Sequence, residues 1–191
     1  MEMDEGIRIA RDLLNALRPR AEALHRLQPK KEFTAWTLAV KAILEQLADK
    51  KYECLYSGKE LHEFLVDFTW WDAKSKRTVL ACECEFGNPR DVARNPERIG
   101  EDFDKLLSVK ADLKLMVFDS YASNKEETQV ETVLNNLSDR FRNFGQHLDG
   151  EVYILLDTWR LGDVPTARLW QCVIKQNGPD KSLHFFEVDT N

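Results

Sequence analysis

The chain has 191 residues, 43% hydrophobic and 31% charged, a balance that suits one water-soluble domain with a full-sized core and excludes fibrous and disordered classes. A formal net charge of -6 argues against a coat that binds nucleic acid by bulk charge, although a local basic face on an acidic protein still admits DNA. No stretch approaches the roughly 20 apolar residues of a membrane span. The start, MEMDEGIRIARDLL, is acidic and amphipathic where an export signal is basic and then apolar, so a cytoplasmic protein with no membrane partner is expected. Cys54, Cys82, Cys84 and Cys172 form no CxxC pair. They read as reduced thiols, buried at 82 and 84, and zinc is not expected.

In chain order, Ile7, Leu13, Leu14, Leu17, Leu24 and Leu27 recur at helical spacing, and Pro19 predicts that this segment divides into two short helices. A further amphipathic helix is predicted from Phe33 to Ala48, with Trp36, Val40, Ile43, Leu44 and Leu47 on one side. The period then changes. YECLYS, the turn Ser57-Gly58 and ELHEFLVDFTWW predict a hairpin, and the turn DAKSKR leads into a central strand, TVLACECEF. A Gly-, Asn- and Pro-containing loop follows from Phe86 to Asn95, then a helix from Pro96 to Lys110 carrying Ile99, Phe103, Leu106 and Leu107. LKLMVFD reads as a buried strand, Glu126 to Leu148 as a long helix, EVYILLD as a strand, and RLWQCVIKQ and SLHFFEVD as a hairpin about NGPDK. The fold class expected is α/β, a mixed sheet flanked by helices.

In an extended strand alternate residues share a face, which puts Val79, Ala81, Glu83 and Glu85 together. Two carboxylates so placed in an apolar strand repel and must be desolvated, and a divalent cation offsets both costs. A wet strand face is the alternative reading. Asp67, set among Val66, Phe68, Trp70 and Trp71 in the hairpin partner of that strand, is the candidate third acid. Magnesium takes carboxylate oxygens and keeps several waters, which suits such a set. Trp70 and Trp71 either stack on bases or cover the edge of the core. The basic clusters Lys30–Lys31, Lys50–Lys51, Lys74 to Arg77, and Arg90, Arg94 and Arg98 read individually as solvated surface or as parts of a substrate face. The four histidines form no metal or acyl-transfer pattern.

The order of a helix, three strands, a helix and a strand, with Asp67 in the second strand and Glu83-Cys84-Glu85 in the third, resembles the PD-(D/E)XK (restriction-endonuclease-like) nucleases over about residues 33–119. The resemblance implies an αβββαβ core within a single domain over 1–191, with a helical extension at 1–30 and a long helix, strand and terminal hairpin at 120–191. It implies that Asp67 and Glu83 hold Mg2+ (or Mn2+) and that a third-strand lysine orients the attacking water. Glu85 stands where that lysine is expected. In variants of the family the lysine moves to the following helix, where Lys105, and less well placed Lys110, are available. Lys105 shares its face with Glu101 and Asp102. Glu45, on the helix before the first strand, matches an acid that many members carry there, or is an ordinary helix glutamate. The implied catalytic set is Asp67, Glu83, Glu85 and Lys105, and the implied metal ligands are Asp67, Glu83, Glu85 and Glu45. The expected function is magnesium-dependent hydrolysis of DNA, in an enzyme that pairs two sites as a homodimer. The alternative is a non-catalytic module of the same fold that binds nucleic acid or a protein.

Overall fold

The apolar runs of the central strands are long enough to be buried on both faces, and they form one sheet with helices on each side. The structure is a computed structural model that describes residues 1–25, 27, 29–56, 65–86, 91–120, 129–144, 150–158, 167–177 and 180–190. Among the described residues seven strands follow one another across the sheet in chain order: β1 (Glu53–Leu55), β2 (Phe68–Asp72), β3 (Arg77–Glu85), β4 (Leu113–Phe118), β5 (Val152–Asp157), β6 (Arg168–Asn177) and β7 (Asp180–Val188). β1, β2 and β3 pair antiparallel, β3, β4 and β5 parallel, and β5, β6 and β7 antiparallel. The parallel pairs need crossovers. They are supplied by α3 (Asn95–Ser108) and α4 (Val130–Phe144).

Alternation along the strands divides the core. Leu80, Cys82, Leu113, Leu115, Val117, Ile154 and Leu156 face α1 (Met3–His25) and α2 (Pro29–Leu47), which contribute Leu13, Leu14, Leu17, Trp36, Val40 and Leu44. Ala81, Met116, Phe118, Tyr153 and Leu155 face Ile99, Phe103 and Leu106 of α3 and Val133, Leu137 and Phe141 of α4. This is the mixed α/β sheet expected. Among the described residues no helix is long and apolar enough to cross a membrane.

Three local expectations are corrected. Pro19 does not divide the first helix, because α1 runs from Met3 to His25 with Pro19 inside it. Leu13, Leu14 and Leu17 before the proline and Ala21 after it are fully buried, so packing on both sides outweighs the one hydrogen bond that proline removes. Val79 does not share the face of Ala81. The register slips between Trp70, opposite Leu80, and Trp71, opposite Thr78, and this bulge turns Val79 into the α1–α2 core. The long helix starts at Val130, after Gln129, whose backbone N–H bonds the Ser120 carbonyl at 2.7 Å. The Ser57-Gly58 turn, the first residues of the second predicted strand, most of the loop after Phe86 and both the first and the last residues of the predicted long helix lie outside the described residues.

Lys114 of β4 is an exception to its apolar strand. It is buried, with Nζ 2.9 Å from Glu151 Oε1 and donating to the Tyr153 hydroxyl at 3.1 Å, and that hydroxyl donates to Glu151 at 2.7 Å. Burial pulls the Lys114 pKa down against the opposing pull of Glu151. The triad sits at the amino ends of the parallel strands and keeps a buried cation satisfied there.

The approach of α3 to α4 fixes where α3 stands over β3. A Cβ at Gly100 would overlap Asn136 Oδ1 and Arg140 Nε of α4. Arg140 also bonds Asp104 and Glu97 of α3, so the two helices are clamped by one guanidinium. Gly100→Ala is expected to displace this clamp and cost about 1–3 kcal/mol, read by urea denaturation. Unchanged stability would mean that the clamp repacks freely.

Candidate functional site

The carboxyl ends of β3, β4 and β5 point to one edge of the sheet, where ligands of open α/β sheets commonly bind. β2 begins at Phe68, and Asp67 sits on the bend just before it. Val66 belongs to the α3–α4 core and Phe68 to the α1–α2 core, so the bend releases Asp67 from strict strand alternation. Its carboxylate accepts the Cys84 N–H at 3.1 Å, a donor beyond the last rung of the β2–β3 ladder. Its other oxygen lies 3.0 Å from Nζ of Lys41, a mostly buried lysine of α2.

Glu83 is only 2% exposed and follows Ala81 on the face of β3 that meets α3. Its pKa is pushed up to about 9, first by burial, then by the charges of Asp67 and Asp102, against the opposing pull of Lys105; a hydrogen bond to Asp67 also favours its protonated form. Lys105 Nζ stands 3.7 Å from Glu83 Oε1 and 2.5 Å from Asp102 Oδ1. Burial works against the Lys105 charge, but the Asp102 hydrogen bond and the Glu83 charge outweigh it and the net shift is upward. Burial also raises the Asp102 carboxyl, despite its bond to Lys105. The group is therefore three acids and two lysines. Its most deeply buried acid is held towards the neutral form at pH 7.

Asp67, Glu83 and Lys105 come together at this edge of the sheet. Glu85, half-exposed at the end of β3, lines a cleft of about 420 Å³ with Thr34, Thr37, Lys41 and Arg98. Glu45 lies on α2 one turn beyond Lys41, where it accepts the Tyr56 hydroxyl at 3.3 Å. Lys110 lies past the carboxyl end of α3 and lines a different cleft, with Trp71 and Lys76. Sequence patterning does not single out Lys41. Its signal is nonetheless present, since it is a cation beside the apolar stripe of Val40, Ile43 and Leu44. Asp102 is legible only as the neighbour of Lys105 on one helix face.

Trp70 is a core residue, with its Nε1–H donating to the Leu44 carbonyl at 3.0 Å and its ring stacked on Tyr52. Cys82 and Cys84 are buried and free, with Sγ atoms 3.9 Å apart. Nearby, buried Asp157 at the end of β5 accepts the Ser120 N–H at 3.1 Å and the Ser120 hydroxyl, which ties the loop after β4 to β5.

The donor chemistry suits a hard cation. Asp67 and Glu83 offer carboxylate oxygens, with Glu83 held protonated first by burial and then by its acidic neighbours, and magnesium commonly binds through one or two carboxylates plus water and phosphate. As they stand, both Asp67 oxygens are engaged. Among the described residues no group of three or more His, Cys, Asp or Glu side chains is arranged to hold a metal ion. Comparison of the chain with family models, curated proteins and solved structures gives no match.

The raised Glu83 pKa makes a pH-dependent demand on stability. Folded Glu83 keeps its proton up to about pH 9, whereas the ordinary value is 4.5, so the stabilisation is full below pH 4.5 and is lost as pH rises through 9. Glu83→Gln imitates the protonated form and cannot lose it. Without divalent cation the variant is expected to gain on wild type by about 5 kcal/mol between pH 5 and pH 9, measured by denaturant titration. Parallel curves would show that Glu83 titrates normally.

Proposed function

We propose that the chain is a divalent-metal-dependent phosphodiesterase of the PD-(D/E)XK type that hydrolyses DNA. One juxtaposition supports this reading above the rest. Asp67 at the head of β2 stands near enough to Glu83 on β3 for its charge to raise the Glu83 pKa, and Lys105 reaches Glu83 from the helix that follows. The order of α2, an antiparallel β1-β2-β3, α3, and β4 parallel to β3 agrees with an αβββαβ core over about 33–119.

Asp67 and Glu83 are the residues that would hold the metal, which when bound supplies a Lewis acid for the phosphate and a more acidic water. Lys41 holds the Asp67 carboxylate from the α2 side, while the Cys84 N–H fixes its second oxygen. Lys105 is 42% exposed along its side chain, so its ammonium spans the boundary between Glu83 and solvent. From there it can orient a water for attack, in place of the lysine that Glu85 replaces. Asp102 holds that ammonium in position.

A second reading, a non-catalytic module of the same fold, is favoured by one observation. Both proposed ligands already have a cationic neighbour, with Lys41 3.0 Å from Asp67 and Lys105 3.7 Å from Glu83.

Incubation of single-stranded, duplex and branched DNA with magnesium or manganese separates the two. The enzyme reading predicts cleavage that chelation stops and that Glu83→Ala and Asp67→Asn reduce by at least about 100-fold, with Lys105→Met reducing turnover by about 10-fold or more while DNA affinity is kept. Absence of cleavage on all three substrates, by a protein that still binds one of them, would establish the module instead.

A further inference from the structure

The opposite end of the sheet carries a cleft that the acidic group does not use. It measures about 490 Å³ and includes Trp71, Lys76, Arg77, Lys110, Asp112 and Glu151 in its lining. Along β3 it lies about 17 Å from Glu83, counting five residues from Thr78. Unlike Trp70, Trp71 is only half-buried, because the bulge in the β2–β3 ladder carries it to the rim of the sheet. Lys76, Arg77 and Lys110 are exposed.

The charges divide unevenly. Arg77 Nη1 lies 3.3 Å from Asp112, and Glu151 is matched by buried Lys114 at 2.9 Å, so both acids of the cleft have cationic partners. Lys76 and Lys110 make no ion pair among the described residues, which leaves the cleft with two uncommitted cations beside an indole. The turn that presents Lys76 is also specifically built. Asp72 accepts the N–H groups of Lys74 and Ser75 at 2.9 and 3.3 Å and the Ser75 hydroxyl at 2.7 Å. Lys76 itself sits at φ 53°, a left-handed conformation that a lysine adopts only at a cost. Glycine or asparagine would sit there more easily. A flat aromatic surface flanked by separated ammonium groups is the chemistry that takes up a base and its neighbouring phosphates.

We propose that this cleft binds a short single-stranded nucleic-acid segment, with one base stacked on Trp71 and adjacent phosphates on Lys76 and Lys110. The site does not depend on the nuclease reading, and its test contains no cleavage step. The full chain is titrated against a fluorescein-labelled oligothymidylate of twelve nucleotides in excess chelator, with anisotropy as the readout over a range of salt concentrations.

Binding should weaken about tenfold in Trp71→Ala and be kept in Trp71→Phe, which preserves a ring. Lys76→Asn with Lys110→Gln should reduce the slope of log affinity against log salt by about 1.4, or about 0.7 for each phosphate that a lysine no longer neutralises. Both lysines are exposed, and circular dichroism checks that each variant is folded. Absence of binding at low salt, or binding that neither set of substitutions changes, overturns the proposal. Thymidine monophosphate competing as well as the oligonucleotide would assign the cleft to a free nucleotide and overturn the strand. A duplex that competes better than the single strand would overturn it as well.

Discussion

Burying a carboxyl group beside two others is costly, and the organisation of the carboxyl-end edge of this sheet follows from how that cost is met at Glu83. β3 is covered on both faces, so a glutamate there cannot turn to solvent as it would in a half-exposed strand. The molecule brings Lys105 over it from α3 and engages the neighbouring Asp67 carboxylate through Lys41 and the Cys84 N–H. These devices do not fully compensate, because the Glu83 carboxyl still favours its proton. A structural protein gains nothing from such an arrangement that a glutamine or a leucine would not provide more cheaply. Under the proposed function the arrangement has a use, because a bound divalent cation would take the place of the proton that Glu83 now holds.

The same constraint gives the helices their roles. α3 must stand where Lys105 reaches Glu83, and its distance from α4 is set by the absence of a side chain at Gly100 and by the Arg140 clamp. α2 must deliver Lys41 from the other face, and the packing of Trp36, Val40 and Leu44 against the sheet fixes its rotation. The acidic group therefore draws its partners from both layers, although the two cores lie on opposite faces of the sheet. Asp67 makes this feasible because it occupies a bend, where one side chain can serve partners on either face.

Much of this is readable from the residues. Apolar runs and turn chemistry locate β3, β4 and β5 to within a residue or two, and two-residue alternation puts Glu83 on the face of Ala81. The DAKSKR turn brings the Asp67 region towards the Glu83 region, although the bulge then shifts the register by one residue. What local patterning does not carry are features decided by tertiary context. Pro19 is held within α1 by the leucines around it, and the bulge that moves Val79 and Trp71 has no glycine to announce it. Lys41 reads as an ordinary helix lysine until its partner across the layer is known. Lys114 stands out as the lone charge in LKLMVF, but nothing near it in sequence names Glu151 as its counterion. Glu85 illustrates the limit of alternation. At a strand end its position in the period is clear, yet the cleft it lines is set by α2 and Arg98.

The central claim is that Glu83 is a buried, proton-holding carboxyl, and the proposed function requires it to exchange that proton for a cation. Carbon-detected NMR titration of the Glu83 side-chain carboxyl, with and without magnesium, measures this directly. An apparent pKa near 9 is expected in the metal-free protein, falling when magnesium is added. A Glu83 carboxyl that titrates near 4.5 and does not respond to magnesium would contradict the claim.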